Sequence, residues 1–91
     1  MTVAERMKDK IEQAFQPVKL DIVNESHKHK GHGGYHPSGE SHFHITIVSD
    51  FFKGKSRVER QRAVYALLDA ELKETVHALS LVTRTPEEAG L

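Results

Sequence analysis

The 91-residue sequence predicts one small α/β domain built on a three-stranded mixed sheet. Three observations carry that expectation. Apolar residues recur at helical spacing in two stretches and alternate with polar ones in others, so both periods are present in one short chain. The stretches run helix, strand, loop, strand, helix, strand, and end on a short helix. A long helix between the second and third strands is a crossover, and strands paired through a crossover are parallel.

Each element has its own signal. Thr2 and Glu5 make a capping box, and Val3, Met7, Ile11 and Phe15 follow at four-residue steps until Pro17 stops the helix. From Val18 to Asn24 the apolar Val18, Leu20 and Ile22 alternate with Lys19 and Asp21, the pattern of a half-buried strand. Phe43, Ile45 and Ile47 alternate in the same way with His42, His44 and Thr46. Gly54 is the permissive residue of the turn that follows. Ser56 and Glu59 form a second capping box, opening a helix with Val58, Tyr65, Leu68 and Leu72 near one face and Val64 and Leu67 widening it. A third strand is expected from about Val76 to Thr83, and Thr85-Pro86-Glu87-Glu88 reads as the start of the last helix.

Composition bounds the function. The length suits one domain, residues 1–91, because compact domains average roughly 100–150 residues. With 13 basic and 13 acidic side chains the surface as a whole attracts neither nucleic acid nor membrane. No apolar run nears the ~18 residues of a membrane span. Glu5, Asp9 and Glu12 among the first residues argue against a transit peptide, so a cytoplasmic protein is expected. The absence of cysteine removes disulfides, thiolate metal sites and a catalytic thiol together. No nucleophile with a nearby base can be assembled, and the chain is not expected to be an enzyme.

Histidine is the exception to this plain composition. Six of the seven lie between His27 and His44, most of them in a His/Gly-rich stretch, residues 26–41, expected to be a flexible loop. Imidazoles at His27, His29, His32 and His36 could chelate a borderline-soft metal, although Lys28 and Lys30 between them oppose a cation. A solvated loop and a pH sensor are the other readings. His42 and His44 are expected to be exposed on the open face of the sheet. His77 shares strand parity with Leu79 and Leu81, which suggests a histidine at the edge of the core. The parallel crossover places His77 at the same end of the sheet as His42, near the base of the loop.

A second feature is charge. Lys53, Lys55, Arg57, Arg60 and Arg62 crowd the start and outer face of the long helix, offset there by Glu59. Such a patch contacts phosphates in some proteins and is solvated surface in most. Gly54-Lys55-Ser56 lacks the earlier glycine of a P-loop. The G-x-x-G of Gly31 to Gly34 falls between strands, whereas the phosphate clamp of KH modules joins two helices.

Several segments, read in order, resemble the BolA family. They are Asn24-Glu25-Ser26, Ser41-His42-Phe43, Ile47-Val48-Ser49, Phe52-x-Gly54, Arg60-Gln61-Arg62-x-Val64-Tyr65, Val76-His77-Ala78-Leu79-Ser80-Leu81 and Thr85-Pro86. The resemblance implies a class II KH-like αββαβ(α) domain, consistent with the order read from periodicity. It also implies a monothiol glutaredoxin as partner and a [2Fe–2S] cluster shared with that protein and with glutathione. On this reading the chain is a monomer alone, carrying no cofactor, and a heterodimer with its partner. The family histidine within Val-His-Ala is His77 here. The loop ligand, three residues beyond Asn-Glu-Ser, falls at His29, with His27, His32 and His36 as competitors. Gln61 stands where many relatives have histidine between the two arginines, so any role of that histidine is absent. Some BolA proteins are DNA-binding transcriptional regulators, which would use the basic helix.

Overall fold

The computed structural model describes residues 2–25 and 42–91. Helix α1 spans Val3–Phe15, strand β1 Lys19–Asn24 and strand β2 His42–Val48. A 3₁₀ turn at Asp50–Phe52 leads to α2 (Arg57–Leu67), α3 (Asp69–Glu74) and strand β3 (Ala78–Arg84). Strand order is β1-β2-β3, with β1 antiparallel to β2 and β3 parallel to it. The mixed sheet and the crossover expected from the sequence are both present.

Local chemistry explains the boundaries. Thr2 Oγ1 accepts the Glu5 N–H at 3.1 Å while Glu5 returns a carboxylate oxygen to the Thr2 N–H at 2.9 Å, closing the first capping box. Gln16 ends α1 in the left-handed region at φ 45°, just before Pro17. Gly54 turns at φ 76°, the conformation for which a glycine is suited. Ser56 and Glu59 close the second box at 3.1 and 2.7 Å.

The helices cover one face of the sheet. Val3, Met7, Ile11 and Phe15 are buried, as their four-residue spacing requires, against Phe43, Ile45 and Ile47 of β2. Phe52, Val64, Leu68 and Val76 complete the core.

Three expectations need correction. The long helix is two, because Leu68 departs to φ −99°, ψ 17° while the bonds Leu68 N–H to Val64 O and Leu72 N–H to Leu68 O persist. Val58 and Tyr65, expected on the inner face, are 55 % and 39 % exposed. The inward stripe instead runs through Val64, Leu68 and Glu71, whose carboxylate is held by Lys10 at 2.8 Å and Arg6 at 3.6 Å. Finally, the expected last helix is a single turn. Thr85 caps Glu88 at 3.2 Å, but Gly90 at φ 77° donates to Glu87 O and Leu91 to Pro86 O, a Schellman ending that stops the turn at once.

Candidate functional site

The parallel register pairs His42 with Ala78, so the starts of β2 and β3 lie side by side. His77 stands immediately before β3. Its neighbour Val76 is buried and donates its N–H to Glu71 O at 2.9 Å, which fixes the approach of the chain. The rings of His42 and His77 are 6.4 Å apart, centroid to centroid. On the other side, Glu25 N–H donates to His42 O at 2.8 Å. Glu25 and His42, the described residues on either side of 26–41, are thus held together near His77.

The juxtaposition of His77 with His42 at the start of β2, read from the crossover, is therefore present. Its details differ from expectation. His42 is buried rather than open, His44 is half-buried, and His77 is exposed rather than at the edge of the core. His27, His29, His32 and His36 lie outside the described residues. Among the described residues no three His, Asp or Glu side chains are grouped to hold a metal ion, and the chain has no cysteine. This end of the sheet thus presents an accessible imidazole, a nitrogen donor of the kind that borderline metals accept.

The basic region divides on inspection. Lys53 is bound by Asp50 at 3.1 Å and Glu87 at 2.9 Å, and Glu87 in particular raises its pKa. Arg60 donates to Lys55 O at 3.0 Å, to Thr83 O at 3.2 Å and to Glu88 at 2.6 Å. Lys55 lies 4.4 Å above the Phe51 ring. Arg57 and Arg62 are exposed and carry no ion pair among the described residues. Of the five cations on this helix face, two are therefore neutralised from the C-terminal turn. Sequence spacing did not reveal Glu87 and Glu88 as partners, since 28 residues separate Arg60 from Glu88.

The Arg60 pair gives a pH prediction. The guanidinium, and then the Thr85 backbone N–H, hold the Glu88 carboxyl down to about 2 from an ordinary 4.5. A carboxylate with a depressed folded-state pKa adds stability above its unfolded value, and that stability is lost as pH falls through the folded value. Glu88→Gln should therefore lower the melting temperature at neutral pH, and the gap from wild type should close between pH 4.5 and about 2. Thermal melts along that pH series provide the check. A gap unchanged down to the acid end would exclude the ion pair as its source.

A three-stranded mixed sheet with helices on one face and a crossover α2–α3 pair defines the KH-like class of small α/β domains. Within that class the family model for BolA-like protein matches residues 11–88. The chain belongs to the BolA-like family. It is 46 % identical over 87 residues to "SufE-like protein 1, chloroplastic/mitochondrial" of Arabidopsis thaliana, covering 91 % of this chain and 24 % of that protein. It is 44 % identical over 88 residues to "DNA-binding transcriptional regulator BolA" of Escherichia coli K12, covering 97 % of this chain and 80 % of that one. Among solved structures, BolA1 from Arabidopsis thaliana superposes with a TM-score of 0.88 at 42 % identity, covering 97 % of this chain and 96 % of that chain. The chain thus spans about a quarter of the length of SufE-like protein 1.

Proposed function

We propose that this protein is a non-catalytic adaptor that joins a monothiol glutaredoxin and co-ligates a [2Fe–2S] cluster with it. One observation carries the reading: an exposed imidazole, His77, stands beside His42, next to a histidine-rich stretch of sequence in a chain without cysteine. The donor chemistry fits half of such a cluster. His77 supplies one nitrogen, and His29 is the second ligand by its place in the family motif, with His27, His32 and His36 in competition. The sulfur ligands come from the glutaredoxin and its glutathione, so the isolated chain is a monomer without the cluster. A [2Fe–2S] cluster with imidazoles on one iron has a higher potential than an all-thiolate one, and that difference suits transfer or sensing roles. A role in iron–sulfur trafficking or iron and redox regulation in the cytoplasm belongs to the same proposal.

The test mixes cluster-loaded glutaredoxin, with glutathione, and this chain. Visible absorption and circular dichroism should change as the mixed complex replaces the glutaredoxin homodimer. His77→Ala should abolish the new spectrum while far-UV dichroism stays native, since the side chain is exposed. A mixed-complex spectrum that survives His77→Ala would refute the ligand assignment.

A second reading, a DNA-binding transcriptional regulator, is favoured by the name of the Escherichia coli relative. The ion pairs of Lys53 and Arg60 reduce its footprint to Lys55, Arg57 and Arg62. Three phosphate contacts predict a log–log salt slope of about −2.7, against about −4.5 had all five basic residues engaged. No described helix is long and apolar enough to cross a membrane.

A further inference from the structure

β3 is an edge strand, and its free side faces α2 across a cleft of about 490 Å³. The register fixes which backbone groups line that side. Arg84 O accepts the Ser49 N–H at 2.9 Å, so Arg84, and with it Val82 and Ser80, turn their amides toward β2. Leu79, Leu81 and Thr83 then turn theirs outward, because successive residues of a strand alternate. Two of the outward carbonyls are occupied: Tyr65 Oη donates to Leu79 O at 3.3 Å, and Arg60 Nη1 donates to Thr83 O at 3.2 Å. The N–H and C=O of Leu81 and the N–H of Thr83 have no bond among the described residues.

The open edge is consequently rich in donors, and its surroundings are cationic. Lys55, Arg57, Arg60 and Arg84 line the cleft with Gln61, against the single carboxylate of Glu88. At the α2 N-terminus the capping box already engages the Ser56 and Glu59 N–H groups. Natural edge strands are usually blocked, and here only the two ends of the edge are.

We propose that this cleft is a docking groove for an extended acidic peptide of a partner protein. The peptide adds a short strand against Leu81 and Thr83 and places carboxylates on Arg57 and Arg84. Backbone pairing gives such complexes affinity, and flanking side chains select the sequence. Single-stranded nucleic acid is disfavoured in the same groove for two reasons. No aromatic side chain lines the cleft for base stacking. The α2–α3 junction carries Leu68 and Asp69 where a KH clamp has glycines. This inference goes beyond the cluster proposal and does not depend on it.

The test is titration of the full chain with a fluorescent decapeptide of alternating Glu and Val, followed by NMR amide shifts. The Leu81 and Thr83 amides should shift, with saturation at micromolar to millimolar peptide. A peptide N-methylated at alternate residues keeps its charge but cannot pair, and should bind roughly tenfold or more weakly. Arg57→Glu should weaken binding by a similar factor without disturbing the fold, since Arg57 is exposed and in no ion pair among the described residues. Three outcomes overturn the proposal: no binding at millimolar peptide, equal binding of the N-methylated peptide, or a thymidine decamer that shifts the Leu81 and Thr83 amides while the peptide does not.

Discussion

Phe52→Ala should lower the unfolding free energy by about 3–5 kcal/mol, the cost of deleting a buried phenyl ring and leaving a cavity. At about 0.05–0.15 kcal/mol per residue a domain of this length has roughly 5–14 kcal/mol in total, so the variant would be close to unfolding. The size follows from the surroundings. Phe52 is fully buried, its ring 5.6 Å from Phe15 and 5.7 Å from Phe51, with the Arg60 guanidinium 5.9 Å away. It joins the end of α1, the 3₁₀ turn and the start of α2. Ser49 reinforces the same junction, donating its Oγ–H to Phe15 O and accepting the Phe51 N–H. The adjacent Phe51 is 37 % exposed, and Phe51→Ala should cost less than half as much. Urea unfolding of the two variants checks the contrast. Equal losses would mean that the ring cluster, rather than burial of Phe52, sets the stability here.

The sequence made this junction only partly legible. Phe15 was visible as the last of four apolar steps, and Gly54 as a turn residue, because both are local signals. Phe52 lies in a short segment without period, so nothing in the spacing marked it as core. The same limit explains α2. Apolar residues at Val58 and Tyr65 pulled the expected inner face toward them, while the buried stripe includes Glu71. A pattern of apolar residues cannot credit a carboxylate whose burial is compensated by cations from another helix. Terminal punctuation failed for a related reason. Thr85-Pro86-Glu87-Glu88 is a sound helix start, but the Gly90 that ends it five residues later leaves room for only one turn.

The candidate site shows the opposite balance. The parallel crossover alone brings His77 to His42 across 34 intervening positions, and the rings are 6.4 Å apart. Topology fixes which ends meet, so it survived errors in local detail. Exposure did not follow from it. His42 was expected in water because alternation puts it opposite Phe43, yet at the very start of a parallel pair the chains before β3 and after β1 converge on it. The basic patch was legible as a list of cations and illegible as a surface, since Glu87 and Glu88 reach it only through the fold. Arg84, remote from the helix in sequence, joins that surface for the same reason.

Glu71 joins a buried ion-pair cluster to the chain segment that leads into His77. Glu71 is 3 % exposed at its side chain, while Lys10 and Arg6 are 36 % and 38 % exposed. The two sides of this cluster are therefore not equivalent. Glu71→Met removes the buried charge and leaves two cations that can turn into water, so it should cost little, within about 1–2 kcal/mol. Replacing both cations, Arg6→Met with Lys10→Met, leaves a desolvated carboxylate without compensation and should cost about 3–5 kcal/mol. The consequence reaches the site, because Glu71 O accepts the N–H groups of Thr75 at 3.0 Å and Val76 at 2.9 Å, the residues that lead into His77. Amide exchange at Val76 should accelerate in the double cation variant more than in Glu71→Met, in step with urea unfolding. The reverse order, with Glu71→Met the more damaging, would show that the carboxylate is stabilising in its own right. His77 would then depend on an attraction between helices rather than on the avoidance of a stranded charge.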